Sequence, residues 1–182
     1  MNWLFKALLR SFANRYHYDV NYIEEMDRNA PGTLFRYLLA APLGQYNRTA
    51  PTELFWSAKV TATQAQDCGP CVRLVYNMAT EAGVCAEQLA ALLTESEETM
   101  SEETRLGRLY AQAVLTQDAP GLADLGEQIE GRWGKGAIAE LALAVAYGAF
   151  YPTLKRGLGH AQSCEPLIAE IRASGHLRPA PG

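Results

Sequence analysis

The sequence predicts an all-α protein, and three observations support this prediction. Apolar residues recur every three or four positions in most segments, which is the spacing of one helix face. No segment alternates apolar and polar residues between hairpin turns, as a half-buried strand would. The connections are short, and small residues are frequent enough for helices to pack closely. A chain of 182 residues can bury a full core, so we expect a single helical domain over residues 1–182.

Four helices are predicted before the first cysteine. The first carries apolar residues at helical spacing and is interpreted as a packing helix at the periphery of the domain, a partner-facing or membrane-surface helix being the alternative. The fourth begins where Pro51 and Glu53 stand, because proline lacks an N–H that the first turn leaves unpaired and an acid favours that end of the helix dipole. The predicted ranges are 1–15, 20–28, 33–45 and about 51–65.

The second half of the chain predicts further helices. Ser101 is placed at the start of one of them, and Pro152 is expected to kink or restart the most apolar one. That apolar helix, over residues 134–151, is expected to be buried. The remaining ranges are 87–93, about 101–114, 122–131, 154–158 and 164–174, followed by a frayed tail over residues 177–182.

Composition narrows the class of protein. The chain is 48% hydrophobic and 20% charged, and its net charge of −4 predicts no nucleic acid partner. No apolar run approaches the ~20 residues of a membrane span, so no membrane association is expected. The N-terminal residues resemble a signal peptide, but Lys6 and Arg10 interrupt the apolar stretch and no small-residue cleavage site follows. With four cysteines, two of them paired, we expect a protein of the reducing cytoplasm.

The segment Cys68-Gly69-Pro70-Cys71 is the strongest chemical signal in the chain. Asp67 is interpreted as the N-cap of a helix that has Pro70 in its first turn and that stops at Gly83. Two cysteines three positions apart share a helix face. The unpaired N–H groups of a first turn favour a thiolate, and such pairs have a thiol pKa near ~7 rather than ~8.5. The segment therefore predicts a dithiol that can close to a disulfide.

Two other interpretations of the pair stay open at this point. A single C-x-x-C is half of a zinc site, and His160 with Cys164, four positions apart, could complete a Cys3His site from the other end of the chain. The cysteines could also be purely structural. Pro70 between the two cysteines favours the redox interpretation, so no metal is predicted.

The helical context of the pair separates it from thioredoxin and resembles another family. Thioredoxins share Cys-Gly-Pro-Cys but place a strand before it, whereas a helix precedes it here. Residues 53–84, with Glu-Leu-Phe-Trp-Ser-Ala-Lys-Val-Thr-Ala, then Asp-Cys-Gly-Pro-Cys, then Glu-Ala-Gly-Val, resemble the carboxymuconolactone decarboxylase family, in particular its AhpD-like alkylhydroperoxidase branch. Arg132-Trp133-Gly134 is a weaker match, and the resemblance covers most of residues 20–165, with only the cysteine region specific.

This resemblance implies a fold and an activity. The fold is an AhpD-like helical bundle that forms homo-oligomers, as trimers or hexamers. The activity is a peroxiredoxin-type reduction of peroxides through a dithiol–disulfide cycle of Cys68 and Cys71, with a dithiol protein as reductant and no cofactor. Which cysteine attacks the peroxide is open: the family points to the second, and exposure at a helix start points to the first.

The chain departs from the family at its proton relay. The family's peroxidases carry a glutamate twelve positions before the first cysteine and a histidine four after the second, and these positions are Trp56 and Val75. Neither side chain can transfer a proton. Lys59, one turn beyond Trp56, and His160 are the candidates to replace the relay.

Each candidate has a structural alternative. Lys59 could be a surface lysine, and a lone histidine such as His160 is often structural. Tyr16, Tyr18 and Tyr22 could line a cleft or stack in the core. Two further functions stay open for the chain: a protein disulfide reductase or redox sensor, and a non-catalytic helical assembly protein.

Overall fold

A computed structural model describes residues 3–177, and this part of the chain is all-α, as predicted. Residues 1, 2 and 178–182 lie outside the described residues, and with them most of the predicted tail over 177–182. Two short 3-10 helices occur at Ala41–Gln45 and Glu97–Thr99. The α-helices are Trp3–Tyr16 (α1), Asn21–Asn29 (α2), Thr33–Ala40 (α3), Thr52–Gln64 (α4), Gly69–Glu81 (α5), Ala86–Thr94 (α6), Glu102–Thr116 (α7), Ala119–Gly157 (α8) and Glu165–Ser174 (α9).

Helix α8 joins three ranges that the sequence predicts as separate helices, 122–131, 134–151 and 154–158. Gly134 has a φ of 80° and a ψ of 174°, so the helix is interrupted there as predicted, but the chain continues in helix on both sides. Pro152 does not end the helix, and the prediction of a restart there is wrong. Proline has no N–H for the Gly148 carbonyl, and the Thr63 hydroxyl donates to that carbonyl instead, at 3.1 Å. A side chain of α4 thus satisfies the backbone group that Pro152 leaves unpaired.

Helix α4 lies at the centre of the larger hydrophobic cluster, where it packs against α7 and α8. Two glycines allow the helices to approach closely. A Cβ at Gly107 would lie 2.5 Å from the Leu54 carbonyl oxygen, and one at Gly148 would lie 2.7 Å from the Lys59 carbonyl oxygen. Because backbone occupies the space that a side chain would need, α4 sits in direct contact with both neighbours.

A second, smaller cluster is formed by α1, α2, α3 and the turn before α2. Its buried side chains include Tyr18, Tyr22 and Leu34, and the rings of Phe5, Phe12, Tyr16 and Tyr37 pack against them. Leu74 of α5 and Leu158, just after α8, pack against it. Helix α1, predicted at the periphery, contributes Leu9 to this cluster and leaves Trp3 77% exposed. This N-terminal layer covers the start of the cysteine helix.

Helix α8 is buried along one side only, so the expectation of a buried helix over 134–151 holds for one face. Leu141 and Val145 are buried, whereas Ala142 and Ala146 are exposed. Among the described residues, α8 is the helix that is long enough and apolar enough to cross a membrane, judged by length and composition alone. Its mean hydropathy is 1.4 over 18 residues. The core helix of a soluble protein passes the same test, so the expected lack of membrane association stays a prediction.

Glu140, on the buried side of α8, holds the chain that leads into α4. Its carboxylate accepts hydrogen bonds from the backbone N–H groups of Arg48, Thr49 and Ala50, at 2.8–3.0 Å. Burial by itself raises the pKa of a carboxyl group, but these donors outweigh it and lower the pKa of Glu140. A buried acid of α8 thus anchors the segment that leads into α4.

Candidate functional site

The two cysteines of the C-x-x-C segment form a disulfide at the start of α5. Cys68 precedes the first helical residue in an extended conformation, and Pro70 lies in the first turn. The two Cα atoms are 5.3 Å apart, within the usual range for a disulfide. Both residues are buried, with 0% of Cys68 and 2% of Cys71 exposed. The sulfurs can therefore exchange a bond with each other, and a reactant must reach them from inside the fold.

Asp67 does not cap the cysteine helix, and this prediction is wrong. No side-chain cap is present at the start of α5, and Asp67 has a φ of 46°. Its carboxylate accepts instead from the Cys164 backbone N–H at 2.7 Å, at the start of α9. The hydrogen bonds from Cys164 and Ser163 lower the pKa of Asp67. The aspartate thereby ties the loop before α9 to the cysteine segment.

Gly69 lets that loop approach the disulfide. Its N–H donates to the Gln162 carbonyl at 2.8 Å. A Cβ at Gly69 would lie 2.5 Å from the Ser163 carbonyl oxygen, so a larger residue would displace backbone. The glycine of Cys-Gly-Pro-Cys is thus required by the packing of residues 162–164.

An apolar cavity of about 270 Å³ lies between the N-terminal layer and helices α4, α5 and α8. Cys71 lines it and Cys68 does not. Val75, at the family's histidine position, also lines this cavity, and Trp56, at the glutamate position, lies beneath the Lys59 side chain instead. We name this space the cysteine cavity; its remaining walls include Leu8, Leu9, Phe12, Tyr18, Tyr22, Ile23, Tyr37, Lys59, Leu74, Met78 and Tyr147.

Tyrosine hydroxyl groups form a chain that ends at Cys71. The Tyr18 hydroxyl oxygen lies 3.7 Å from Cys71 Sγ and 3.4 Å from the Tyr22 hydroxyl, which in turn lies 3.3 Å from the Tyr37 hydroxyl. Burial raises the pKa of Tyr18 and Tyr22, with further increases from neighbouring tyrosines, so these phenols stay protonated. A neutral proton donor therefore contacts the sulfur. The sequence predicts Tyr18 either in a cleft or in the core, and residue spacing does not indicate its contact with Cys71.

Lys59 is buried, with 2% of the residue exposed, so the alternative of a surface lysine is wrong. Its ammonium donates to the Gly44 carbonyl and lies 5.0 Å from the Trp56 ring centroid. Burial lowers the pKa of Lys59 to about 8. The side chain lines the same cavity as Cys71, so the structure brings together these two predicted site residues.

His160 lies on the other side of Tyr18. Its Nε2 is 3.0 Å from Glu25 Oε2, and its ring contacts that of Tyr22 at a centroid distance of 6.3 Å. It lines a second, polar cavity together with Pro70, and not the cysteine cavity. A catalytic role for His160 stays a prediction.

Lys155 is a buried cation that sequence reasoning missed. It is 3% exposed, and its ammonium lies 4.7 Å from the Tyr18 ring centroid and 5.1 Å from that of Tyr22. Burial lowers its pKa, and the nearby Asp19 raises it in part. The spacing from Gly148 and Pro152 puts Lys155 on the buried face of α8, and a lysine at that spacing was the available signal.

The open zinc interpretation lacks a ligand set within residues 3–177. No group of three or more His, Cys, Asp or Glu side chains in this part of the chain is placed to hold a metal ion. Cys164 is buried, and its pKa is raised to about 12 by burial and by the charge of Asp67. Cys85 is exposed. The pair Cys68–Cys71 is the disulfide that the described chain contains.

Comparisons with family models, with curated proteins and with solved structures found no match to this chain. The AhpD-like bundle implied by the cysteine segment therefore stays a prediction. The all-α class and the closed cysteine pair are the parts of that prediction that the structure shows.

Proposed function

We propose that the protein is a thiol-dependent peroxidase in which Cys68 and Cys71 cycle between dithiol and disulfide. The observation that supports this most directly is the position of Cys71. Its sulfur belongs to a closable pair, faces an apolar cavity and contacts a buried phenol. A cavity lined by apolar side chains with a few polar groups is the usual form of a small-molecule site.

Cys71 is the attacking residue in this proposal, because it lines the cavity that a small peroxide can enter. The Cys71 thiolate attacks the outer oxygen of the peroxide, the O–O bond breaks, and the products are a sulfenic acid and an alkoxide. The alkoxide takes up a proton and leaves as an alcohol. The Cys68 thiol then displaces water from the sulfenic acid, which forms the Cys68–Cys71 disulfide.

Tyr18 serves as the proton donor in the first step. Its hydroxyl stabilises the thiolate from 3.7 Å and protonates the departing alkoxide. The Tyr18 hydroxyl donates to the Tyr22 hydroxyl at 3.4 Å, and once Tyr18 has given up its proton the same contact lets Tyr22 donate to it in return. The tyrosine hydroxyls thus serve as the proton relay that Trp56 and Val75 cannot provide.

Lys59 serves as the base that removes the proton from Cys71. With a pKa of about 8, a part of the Lys59 population is neutral near neutral pH and can accept a proton. The resulting ammonium, in the same cavity, favours the thiolate. His160 has no step in this mechanism, since it lines the other cavity.

A dithiol reductant completes the cycle by reducing the Cys68–Cys71 disulfide and becoming a disulfide itself.

We also propose that the protein is a cytoplasmic homo-oligomer, either a trimer or a hexamer. Exposed apolar side chains on the N-terminal layer support self-association, and sedimentation velocity measures it. These side chains include Trp3, Leu8, Phe35 and Leu39.

Peroxide consumption by cysteine variants tests the proposal. With dithiothreitol as reductant and cumene hydroperoxide as substrate, Cys71→Ser is expected to lose turnover, since it lacks the nucleophile. Cys68→Ser keeps the nucleophile but lacks the resolving thiol, so without dithiothreitol it is expected to consume a single equivalent of peroxide and to accumulate a Cys71 sulfenic acid. Cys85→Ser, which removes an exposed cysteine outside the pair, is the matched control.

Two outcomes decide against the proposal. Unchanged peroxide turnover in both Cys68→Ser and Cys71→Ser would end it. Reduction of insulin disulfides without any peroxide turnover would select the alternative function, a protein disulfide reductase.

A further inference from the structure

A polar cavity of about 360 Å³ lies beside the cysteine helix and adjoins the cysteine cavity at Tyr18. Pro70 and Arg73 of α5, Lys155 of α8 and His160 line it. The mechanism above uses none of these side chains. The polar cavity is therefore a second space next to the disulfide, and the proposed peroxidase mechanism does not use it.

The Lys155 ammonium is the charged group in this cavity that has no directly bonded counter-ion. It is 3% exposed, yet its ammonium has no hydrogen-bond acceptor or carboxylate within bonding distance among the described residues, and it contacts the faces of two phenol rings. A buried ammonium normally has hydrogen-bond acceptors or a counter-ion, because removing a charge from water is costly. An anionic group bound in the cavity would supply both.

The other charges at the cavity are already engaged. Arg73 is paired with Glu170 at 2.5 Å, and His160 with Glu25 at 3.0 Å. Among the described lining residues, Asp19 is the one carboxylate, and its Oδ1 accepts from the Asn21 N–H at 2.9 Å. Asp19 acts on the Lys155 ammonium through its charge without bonding to it, so the ammonium still lacks an acceptor within bonding distance, which an anionic ligand would supply.

The polar cavity and the cysteine cavity share two wall residues, Tyr18 and Leu74. Tyr18 contacts both chemical groups of interest: its ring lies 4.7 Å from the Lys155 ammonium, and its hydroxyl lies 3.7 Å from Cys71 Sγ. A single side chain thus contacts both the buried cation and the reactive sulfur, and the two cavities adjoin at Tyr18. A ligand that is apolar at one end and anionic at the other matches these two neighbouring environments.

We infer that the polar cavity binds the carboxylate of an amphipathic acid, with Lys155 as its counter-ion and with the apolar part of the ligand in the cysteine cavity. Resting on the proposed function, this inference names the substrate class as hydroperoxides that carry a carboxylate, such as fatty acid hydroperoxides. Lys155 is then a specificity residue that binds the substrate and takes no part in proton transfer.

Binding of an unreactive ligand tests the inference without turnover. Decanoate and 1-decanol share one chain length and differ in the charge of the head group. Calorimetric titration is expected to show tighter binding of decanoate by the wild type. Lys155→Met should weaken decanoate binding about 10-fold to 100-fold, the usual effect of losing a charged hydrogen-bond partner, and leave 1-decanol unaffected.

The controls separate charge from packing. Lys155→Arg keeps the charge and should retain most of the preference for decanoate, whereas Lys135→Met removes an exposed lysine of the same helix and should change nothing. Equal binding of decanoate and 1-decanol by the wild type would overturn the inference, independently of how any variant folds. An unchanged preference in Lys155→Met would overturn it as well.

Kinetics separate this inference from the proposed function. With linoleic acid hydroperoxide and its methyl ester as substrates, we expect Lys155→Met to raise KM for the acid alone. Cumene hydroperoxide, which has no carboxylate, shows how far the substitution disturbs Tyr18, whose ring Lys155 contacts, and the ratio of the KM for the acid to the KM for the ester is expected to rise beyond that change. Failure of the enzyme to reduce any peroxide would contradict the proposed function, whereas equal use of acid and ester by the wild type would contradict the carboxylate site alone.

Discussion

The two hydrophobic clusters pack against the neighbouring helices in different ways. In the larger cluster, α4 contacts α7 and α8 through glycines, and backbone atoms fill the space between the helices. In the N-terminal layer, aromatic rings such as Tyr18 and Tyr22 form the contacts, and a cavity stays between them and α5. Cys71 lies at the boundary between the two clusters. Its helix, α5, packs closely on one side and faces the cysteine cavity on the other.

This difference shows how one fold can hold a reactive group. Close backbone packing leaves no room for a ligand but keeps the helices in place. Large planar rings with polar ends leave gaps and bring hydroxyl groups into the interior. Chemistry is therefore expected where the aromatic layer faces the rigid part, and the following variants test the two regions separately.

The largest expected effect is on the close-packed side. Gly107→Ala would bring a Cβ to 2.5 Å from the Leu54 carbonyl oxygen and 3.1 Å from the Ala58 nitrogen. Since α4 backbone cannot yield locally, we expect a loss of about 3 kcal/mol in the free energy of unfolding, the upper part of the range for overpacking. Urea denaturation measures the change.

Gly126→Ala in α8 is the matched control for that substitution. Nothing lies within 4 Å of a Cβ at Gly126, and alanine favours the helix, so this variant is expected to gain about 0.5–1 kcal/mol. Equal stability of the two variants would contradict the account of close packing between α4 and α7.

The next effect is on the aromatic side, and it concerns activity. Tyr18→Phe removes the hydroxyl group near Cys71 and keeps the ring. We expect peroxide turnover to fall about 100-fold, the lower range for a lost general acid, while the free energy of unfolding changes by about 1 kcal/mol. Steady-state kinetics and urea denaturation measure the two quantities.

Tyr110→Phe, in the larger cluster, serves as the comparison for Tyr18→Phe. It removes a hydroxyl from a buried tyrosine of the larger cluster and should leave turnover unchanged. A Tyr18→Phe enzyme as active as the wild type would remove the phenol from the mechanism.

The smallest effect is expected at Lys59, where the two regions meet. Burial lowers the pKa of Lys59 from the ordinary 10.5 to about 8. Between these pH values the unfolded chain binds more protons than the folded one, so the contribution of Lys59 to stability increases as the pH rises. From pH 7.5 to 9.5 this increase is expected to amount to about 1–2 kcal/mol, and Lys59→Met should lack it.

Urea denaturation at the two pH values measures this difference between wild type and Lys59→Met. Tyrosines of the unfolded chain, whose pKa is about 10, ionise in part at the upper end of this range, and they do so equally in the wild type and in Lys59→Met. Lys135→Met, which removes an exposed lysine, should follow the wild type. Parallel pH profiles for the wild type and Lys59→Met would show that Lys59 titrates normally in the folded protein.

Much of the local structure could be predicted because local rules decide it. Ser101 accepts from the Thr104 N–H at 3.0 Å and caps α7, and Gly83, with a φ of 97°, follows the end of α5. The interpretation of Asp67 failed for the opposite reason. An aspartate before a helix has the same local sequence whether it caps that helix or binds a distant backbone N–H, and only the position of Cys164 decides between the two.

By itself, the sequence determined the all-α class, most helix boundaries and the presence of a closable cysteine pair. Those features depend on residues within one or two turns of each other. Tertiary structure decided which groups surround the pair: Tyr18 and Lys155 are far from the cysteines in the chain, and Lys59 is buried by the packing of α4. Contacts between distant segments set burial, and burial sets the protonation of these groups, so periodicity indicates that Lys155 is on the buried face of α8 but not that it contacts Tyr18.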